Sequence, residues 1–203
     1  MVKAMNPRKL QALETKKRIF ECALELFKEH GFENMSVDSI VKMAGISKGA
    51  FYVHYESKLA LIADFIKTIE LDYENYFSSL SPDLKPSDLL ILVTKKITDV
   101  ISNSIGYEVM RVLYTSYLKK PIYTDPMLDY SRRIYSIYKQ IIKMGIEQGE
   151  FNSSLDADLI SEQCVISIRG MTYEWCIRFP NFNLTEESLR HLTLLLHGIK
   201  NSL

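Results

Sequence analysis

The stretch Ala44–Lys58, AGISKGAFYVHYESK, decides how this chain is read. It has the form of a helix start with Ser47 as cap, yet it places Gly49 inside the first turn and crowds Phe51, Tyr52, His54 and Tyr55 behind it. On a helix, Phe51 and Tyr55 share one face and turn inward with Ile46, so Lys48, Gly49, Tyr52 and Val53 look the other way, toward solvent or a groove. A glycine within a helix costs about 1 kcal/mol relative to alanine. One reason for keeping it is close approach of the backbone to a ligand.

The residues upstream supply the other half of a compact unit. A first helix is predicted from Gln11 to His30, with Ile19, Phe20, Ala23, Leu24, Leu26 and Phe27 as its buried stripe and Gly31 as its stop. Ser36 can cap a second, short helix, Asp38 complements its positive end, and Val37, Ile40, Val41 and Ala44 make one apolar face before Gly45 ends it. Two helices joined by a tight glycine turn, with another packed across them, form a helix-turn-helix.

Such a unit reads base edges from the start of its last helix while flanking groups hold phosphates. Lys48 can reach guanine O6 or N7, and Ala50 or Val53 can touch a thymine methyl. Tyr52, His54 and Lys58 are donors suited to phosphate oxygens, as are the backbone N–H groups at the helix starts near Ser36 and Ser47. The charge balance points the same way: residues 1–58 hold 10 Lys and Arg against 7 Asp and Glu, and residues 59–203 hold 15 against 18. Each residue alone reads as an ordinary surface group. Their joint placement on one face carries the signal.

Residues 15–62 resemble the DNA-binding domain of the TetR family of bacterial transcriptional regulators. The pattern is matched by Phe27, Gly31, Phe32, Ser36, Val37, Ile40, Ala44, Gly45, Ile46, Ser47, Gly49, Tyr52, His54, Tyr55, Lys58 and Leu61, with Ser36 where threonine is commoner and Tyr55 where phenylalanine is. The resemblance implies base-proximal positions at Lys48, Ala50 and Val53, and phosphate contacts at Tyr52, His54 and Lys58. It further implies a homodimer on a near-palindromic double-stranded DNA operator, and a small-molecule effector whose binding usually releases that operator.

Helical periodicity continues to the end of the 203-residue chain, so the class is all-α, about nine helices in all: a helix-turn-helix domain over 1–58 and a larger effector-binding and dimerisation domain over 59–203. A long helix begins near Ser57 and carries Leu59, Ile62, Phe65, Ile66, Ile69, Tyr73 and Tyr76. Later helices are predicted from Pro86 through Val100, from Tyr107 to Lys119 after Gly106, from Pro126 to Gln148 with Asp125 as cap, from Asp156 to Arg178, and from Thr185 to Lys200. The last two are apolar on several sides, with Leu189, Leu192, Leu195, Leu196 and Ile199 in one stripe, which assigns them to pairing with a second copy. Tyr107, Met110, Tyr114, Tyr117, Tyr173, Trp175 and Cys176 are candidate ligand contacts, because tyrosines on an apolar wall suit an amphipathic molecule. Glu108, Arg111, Arg169 and Glu174 could orient its polar group.

Enzyme chemistry finds little support, since no HExxH, GxSxG, Walker-type or GxGxxG pattern occurs and His191 and His197 lie on different helical faces. Cys22, Cys164 and Cys176 form no CxxC pair and sit beside no histidine at ligand spacing, so no metal or cofactor is expected. No apolar run approaches the ~20 residues that cross a bilayer, and the start MVKAMNPRKLQALETKKR lacks a signal peptide's apolar middle, which places the chain in the cytoplasm. The alternative function is a helical adaptor or regulator controlled by a protein partner instead of a small molecule.

Overall fold

The computed structural model describes residues 6–58, 60–119 and 129–200. The chain divides into two compact units, Met1–Thr68 and Ile69–Leu203. This division falls ten residues beyond the expected boundary at Lys58, inside the long helix rather than at its start.

The smaller unit contains α1 (Pro7–Asn34), α2 (Val37–Ala44), α3 (Lys48–His54) and the first turns of α4 (Ala60–Ser79). α1 starts earlier than Gln11 because Asn6 accepts from the Arg8 N–H at 3.0 Å and Pro7 occupies a position where its missing donor costs nothing. Gly31 breaks the helix as expected, at φ +74°, with one further turn reaching Asn34. Ile19, Ala23 and Leu26 are buried, whereas Phe20, Leu24 and Phe27 are only half-buried. At α2, Ser36 and Ser39 cap each other: the Ser36 hydroxyl accepts from the Ser39 N–H and the Ser39 hydroxyl from the Ser36 N–H, both at 3.0 Å. Serine thus does what glutamate does in the commoner box. Gly45 follows in the left-handed region, with φ +63° and ψ +38°.

The larger unit holds the rest of α4, then α5 (Pro86–Val100), a single π-helical turn (Ile101–Ile105), α6 (Tyr107–Lys119), α7 (Arg133–Glu147), α8 (Ala157–Arg178) and α9 (Leu184–Ile199). Its core joins Leu90, Val93 and Ile97 of α5 to Ile137, Tyr138, Ile141 and Ile142 of α7, Cys164 and Ile168 of α8, and Leu192 and Leu196 of α9. Within that apolar mass the Thr94 and Tyr138 hydroxyls satisfy each other at 2.7 Å. Among the described residues no helix is long and apolar enough to cross a membrane.

The expected helix from Pro126 is corrected at its start. Asp125 and Pro126 lie outside the described residues, as do Leu59 and the side chains of Ile62, Phe65 and Ile66. Residues 129–132 form a turn, in which Asp129 accepts from the Ser131 N–H at 2.8 Å and its hydroxyl at 2.7 Å, and α7 begins only after Arg132 at ψ +147°. The aspartate offers the backbone a local partner that competes with the helix.

Two contacts close the far end of this unit. Glu150 accepts from the Ser87 N–H at 3.2 Å, next to Pro86 in the first turn of α5, and pairs with Lys200 at 3.2 Å. A carboxylate from elsewhere thereby complements the positive end of α5. Beside it Phe151, fully buried, lies over Gly145 so closely that a methyl group there would stand 2.0 Å from a ring carbon. Gly145→Ala therefore forces out a buried ring and is expected to lower stability by about 2–3 kcal/mol, as overpacked cores do, read as a reduced urea midpoint with an unchanged slope.

Candidate nucleic-acid interface

α3 is only seven residues long, too short to persist alone, so its orientation is set by what anchors it. Ser47 caps it by accepting from the Ala50 N–H at 3.1 Å. Phe51 is fully buried and Tyr55 almost so. The Tyr55 hydroxyl donates to Asp64 of α4 at 2.9 Å, and Lys16 of α1 pairs with the same carboxylate at 2.8 Å while its ammonium lies 5.1 Å from the centre of the Tyr55 ring. Burial alone would raise the Asp64 carboxyl, but the bonds from Lys16 and Tyr55, with the charges of Lys16 and Lys67, bring it below its usual value. One carboxylate thus ties α1, the end of α3 and α4 together.

The opposite face of α3 is open. Lys48 and Gly49 are exposed, Tyr52 is 51% and Val53 80% exposed, and Ala50 and His54 are half-exposed. Gly49 has no internal reason to be glycine: its φ is unremarkable and an added methyl would meet only the Ser47 hydroxyl, at 3.8 Å. Ser36 and Ser47, both exposed, mark the two short helix starts expected to face phosphates.

Two lysines are placed differently from a free donor. The Lys48 ammonium pairs with Asp38, in the first turn of α2, at 2.9 Å, and this bond and charge raise its pKa. Lys58 turns inward: its ammonium donates to the carbonyls of Phe32 at 2.7 Å and Met35 at 2.8 Å and lies 4.4 Å from the Phe32 ring centre. It thereby satisfies carbonyls left open where α1 ends, which sequence spacing could not foresee across 23 residues.

The candidate ligand contacts of the larger unit lie between α6 and α8. Tyr107 stacks on Phe179 at 4.3 Å and meets the edge of Trp175 at 6.0 Å. Tyr114 donates to the Arg169 carbonyl at 2.8 Å and meets Tyr173 edge-on. Met110 and Trp175 are buried, Tyr173 is largely exposed, and the Tyr117 side chain lies outside the described residues. Glu108 pairs with Arg111 and Glu174 with Arg178. Burial pushes the Cys176 thiol up to about 11 and Cys164 to about 12, the state of unreactive packed thiols. Sequence reasoning passed over Tyr135, whose hydroxyl is buried with no hydrogen-bond partner among the described residues; burial raises its pKa above the usual value, and the Arg169 and Arg132 guanidiniums offset only part of that rise.

A capped helix-turn-helix presenting basic and aromatic side chains defines a DNA-binding module. Residues 19–65 match the family described as bacterial regulatory proteins, tetR family. The AcrR transcriptional regulator of Shigella flexneri is 26% identical across 93% of this chain and 90% of its own length, and SrpR of Pseudomonas putida is 27% identical across 81% and 76%. Thermus thermophilus FadR, a repressor solved with lauroyl-CoA, superposes with a TM-score of 0.70 over 90% of this chain and 93% of its own, at 20% identity. The helix-turn-helix region thus matches the tetR family of bacterial regulatory proteins, and along most of its length the chain is similar to transcriptional regulators.

Opposite signs separate the roles of two residues here. Gly49→Ala is expected to raise thermal stability, by up to about 1 kcal/mol, while weakening operator binding in a fluorescence-anisotropy titration. Lys58→Ala should instead lower the melting temperature, because two buried-side carbonyls lose a charged donor worth about 1.5–3 kcal/mol.

Proposed function

We propose that this protein is a homodimeric, cytoplasmic repressor that reads a near-palindromic operator through α3 and leaves it when a small molecule binds the larger unit. The observation that carries the reading is the division of α3 into a fully buried anchor at Phe51 and an open face of Lys48, Gly49, Tyr52 and Val53. On that face Lys48 takes a base edge, Ala50 and Val53 contact methyl groups, and Tyr52 and His54 hold phosphates beside the helix starts at Ser36 and Ser47. Lys58 acts from behind, by fixing the end of α1.

Pairing through α8 and α9 is supported by what these helices leave uncovered. Leu159, Ile166, Tyr173 and Ile177 form an exposed line along α8, and Leu194 of α9 is 66% exposed. Gly170 and Gly198 leave open space where another backbone could approach. To read two half-sites of a near-palindrome, the two α3 helices of such a dimer must lie about 34 Å apart, one turn of DNA. The effector remains a chemical class to be found by screening. The lauroyl-CoA held by Thermus FadR makes acyl-CoA thioesters the first compounds to test, and the unpartnered Tyr135 hydroxyl offers such a ligand a polar anchor.

A mobility-shift titration against the DNA upstream of its own gene should give a specific complex whose affinity falls steeply with salt; no complex at moderate salt refutes the reading. Tyr52→Ala should weaken binding to all sequences alike, whereas Lys48→Ala should alter base preference at one position per half-site. Ile166→Glu with Ile177→Glu should halve the mass in sedimentation and abolish operator binding at concentrations where the parent is saturated.

A further inference from the structure

A cleft of about 490 Å³ opens between the later turns of α4 and the first turns of α7, within the larger unit, and it is apart from the aromatic residues between α6 and α8. Its volume lies in the range of small-molecule sites, but its wall is mostly polar: Glu70 and Glu74 from α4 face Arg132, Arg133, Ser136 and Gln140 from the start of α7. The two glutamates stand one helical turn apart, and each meets one arginine.

The two pairs differ in how firmly they are held. Arg132 forks onto Glu70 through Nε, at 2.7 Å, and Nη2, with both side chains largely buried. Arg133 meets Glu74 at 2.8 Å, and here both side chains are about half exposed. Removing one partner of the buried pair strands a charge out of water, whereas the exposed pair exchanges readily with solvent.

The arginines also occupy an adverse position. α7 has no acidic residue in its first turn and no side-chain cap, so the positive end of its dipole coincides with two guanidiniums that stay charged at any physiological pH. Among the described residues, Glu70 and Glu74 from another helix and Asp129 in the turn before α7 offset that field. An entering cation would compete with Arg132 and Arg133 for the two glutamates and would also meet the positive helix end. An entering anion would meet both arginines and the helix end and could replace Glu74, whose carboxylate is free to turn to water, while Ser136 and Gln140 offer further donors.

We propose that this cleft binds a small anionic metabolite, a carboxylate or a phosphate, which takes Arg133 from Glu74 while Arg132 stays locked to Glu70. The proposal rests on the ligand-responsive reading above only for its consequence on DNA, not for binding itself. Malonate and pyrophosphate are suitable probes, and they separate the two chemistries. In calorimetric titrations of the full chain without DNA, at constant ionic strength, at least one should bind with defined stoichiometry. Arg133→Gln should weaken it about tenfold or more, as loss of a charge-assisted contact does. Glu74→Gln, which removes the competitor, should tighten it severalfold, while Lys143→Gln, a charge change on the exposed face of α7, should leave it unchanged. Circular dichroism melts confirm that the variants are folded.

No binding of either probe to the parent protein overturns the proposal. So does equal binding to all variants, which would mean an adventitious ion only, or a Glu74→Gln protein that binds more weakly than the parent. Operator titrations with and without the bound probe test the regulatory reading separately, so its failure would leave the anion site standing.

Discussion

A helix of seven residues has no stability of its own in water, and the open face proposed to meet DNA depends on what holds α3 in place. The hold is the burial of Phe51, reinforced by Tyr55 and its bond to Asp64. An aromatic ring taken wholly out of water contributes roughly 2–3 kcal/mol, more than the helix could gain from its own backbone bonds. Because Phe51 fixes the rotation of α3 about its axis, it also decides that residues 48, 49, 52 and 53 are outside. The open face proposed to meet DNA is therefore a by-product of core packing.

The small unit was largely legible in its sequence because its determinants are local. A cap at Ser36 or Ser47, a left-handed glycine at Gly45 and a spacing of four between Phe51 and Tyr55 each act within a turn or two of chain. The same locality explains the agreement at α6, expected and found at Tyr107–Lys119, and at α8, found one residue inside its predicted start with Asp156 as cap. The start of α7 was misjudged where a local rival, the Asp129 side chain, claimed the backbone first.

What the sequence concealed depends on residues brought together from far apart. Lys58 looked like a surface donor because its partners, the carbonyls of Phe32 and Met35, are backbone atoms with no signature of their own. Gly145 drew no notice inside a helical pattern, yet Phe151 occupies the space a side chain would need. Glu70 and Arg132, 62 positions apart, gave no sign of being a buried pair. In the candidate ligand region, tyrosine spacing found residues that do meet across α6 and α8, but it could not tell a ring packed on its neighbours from one that lines a cavity.

The bond between Lys48 and Asp38 bears on the base contact proposed for Lys48. Its ammonium is already satisfied in the free protein, so reaching a base means exchanging one acceptor for another, and the net gain is the difference between two contacts of similar kind. Asp38, left behind at the start of α2, would then stand near the phosphates as a like charge. A base that accepts well can overcome that combination and a poor one cannot. If Lys48 reads a base as proposed, the aspartate would work as a threshold, lowering affinity for DNA in general while widening the gap between the right sequence and the rest.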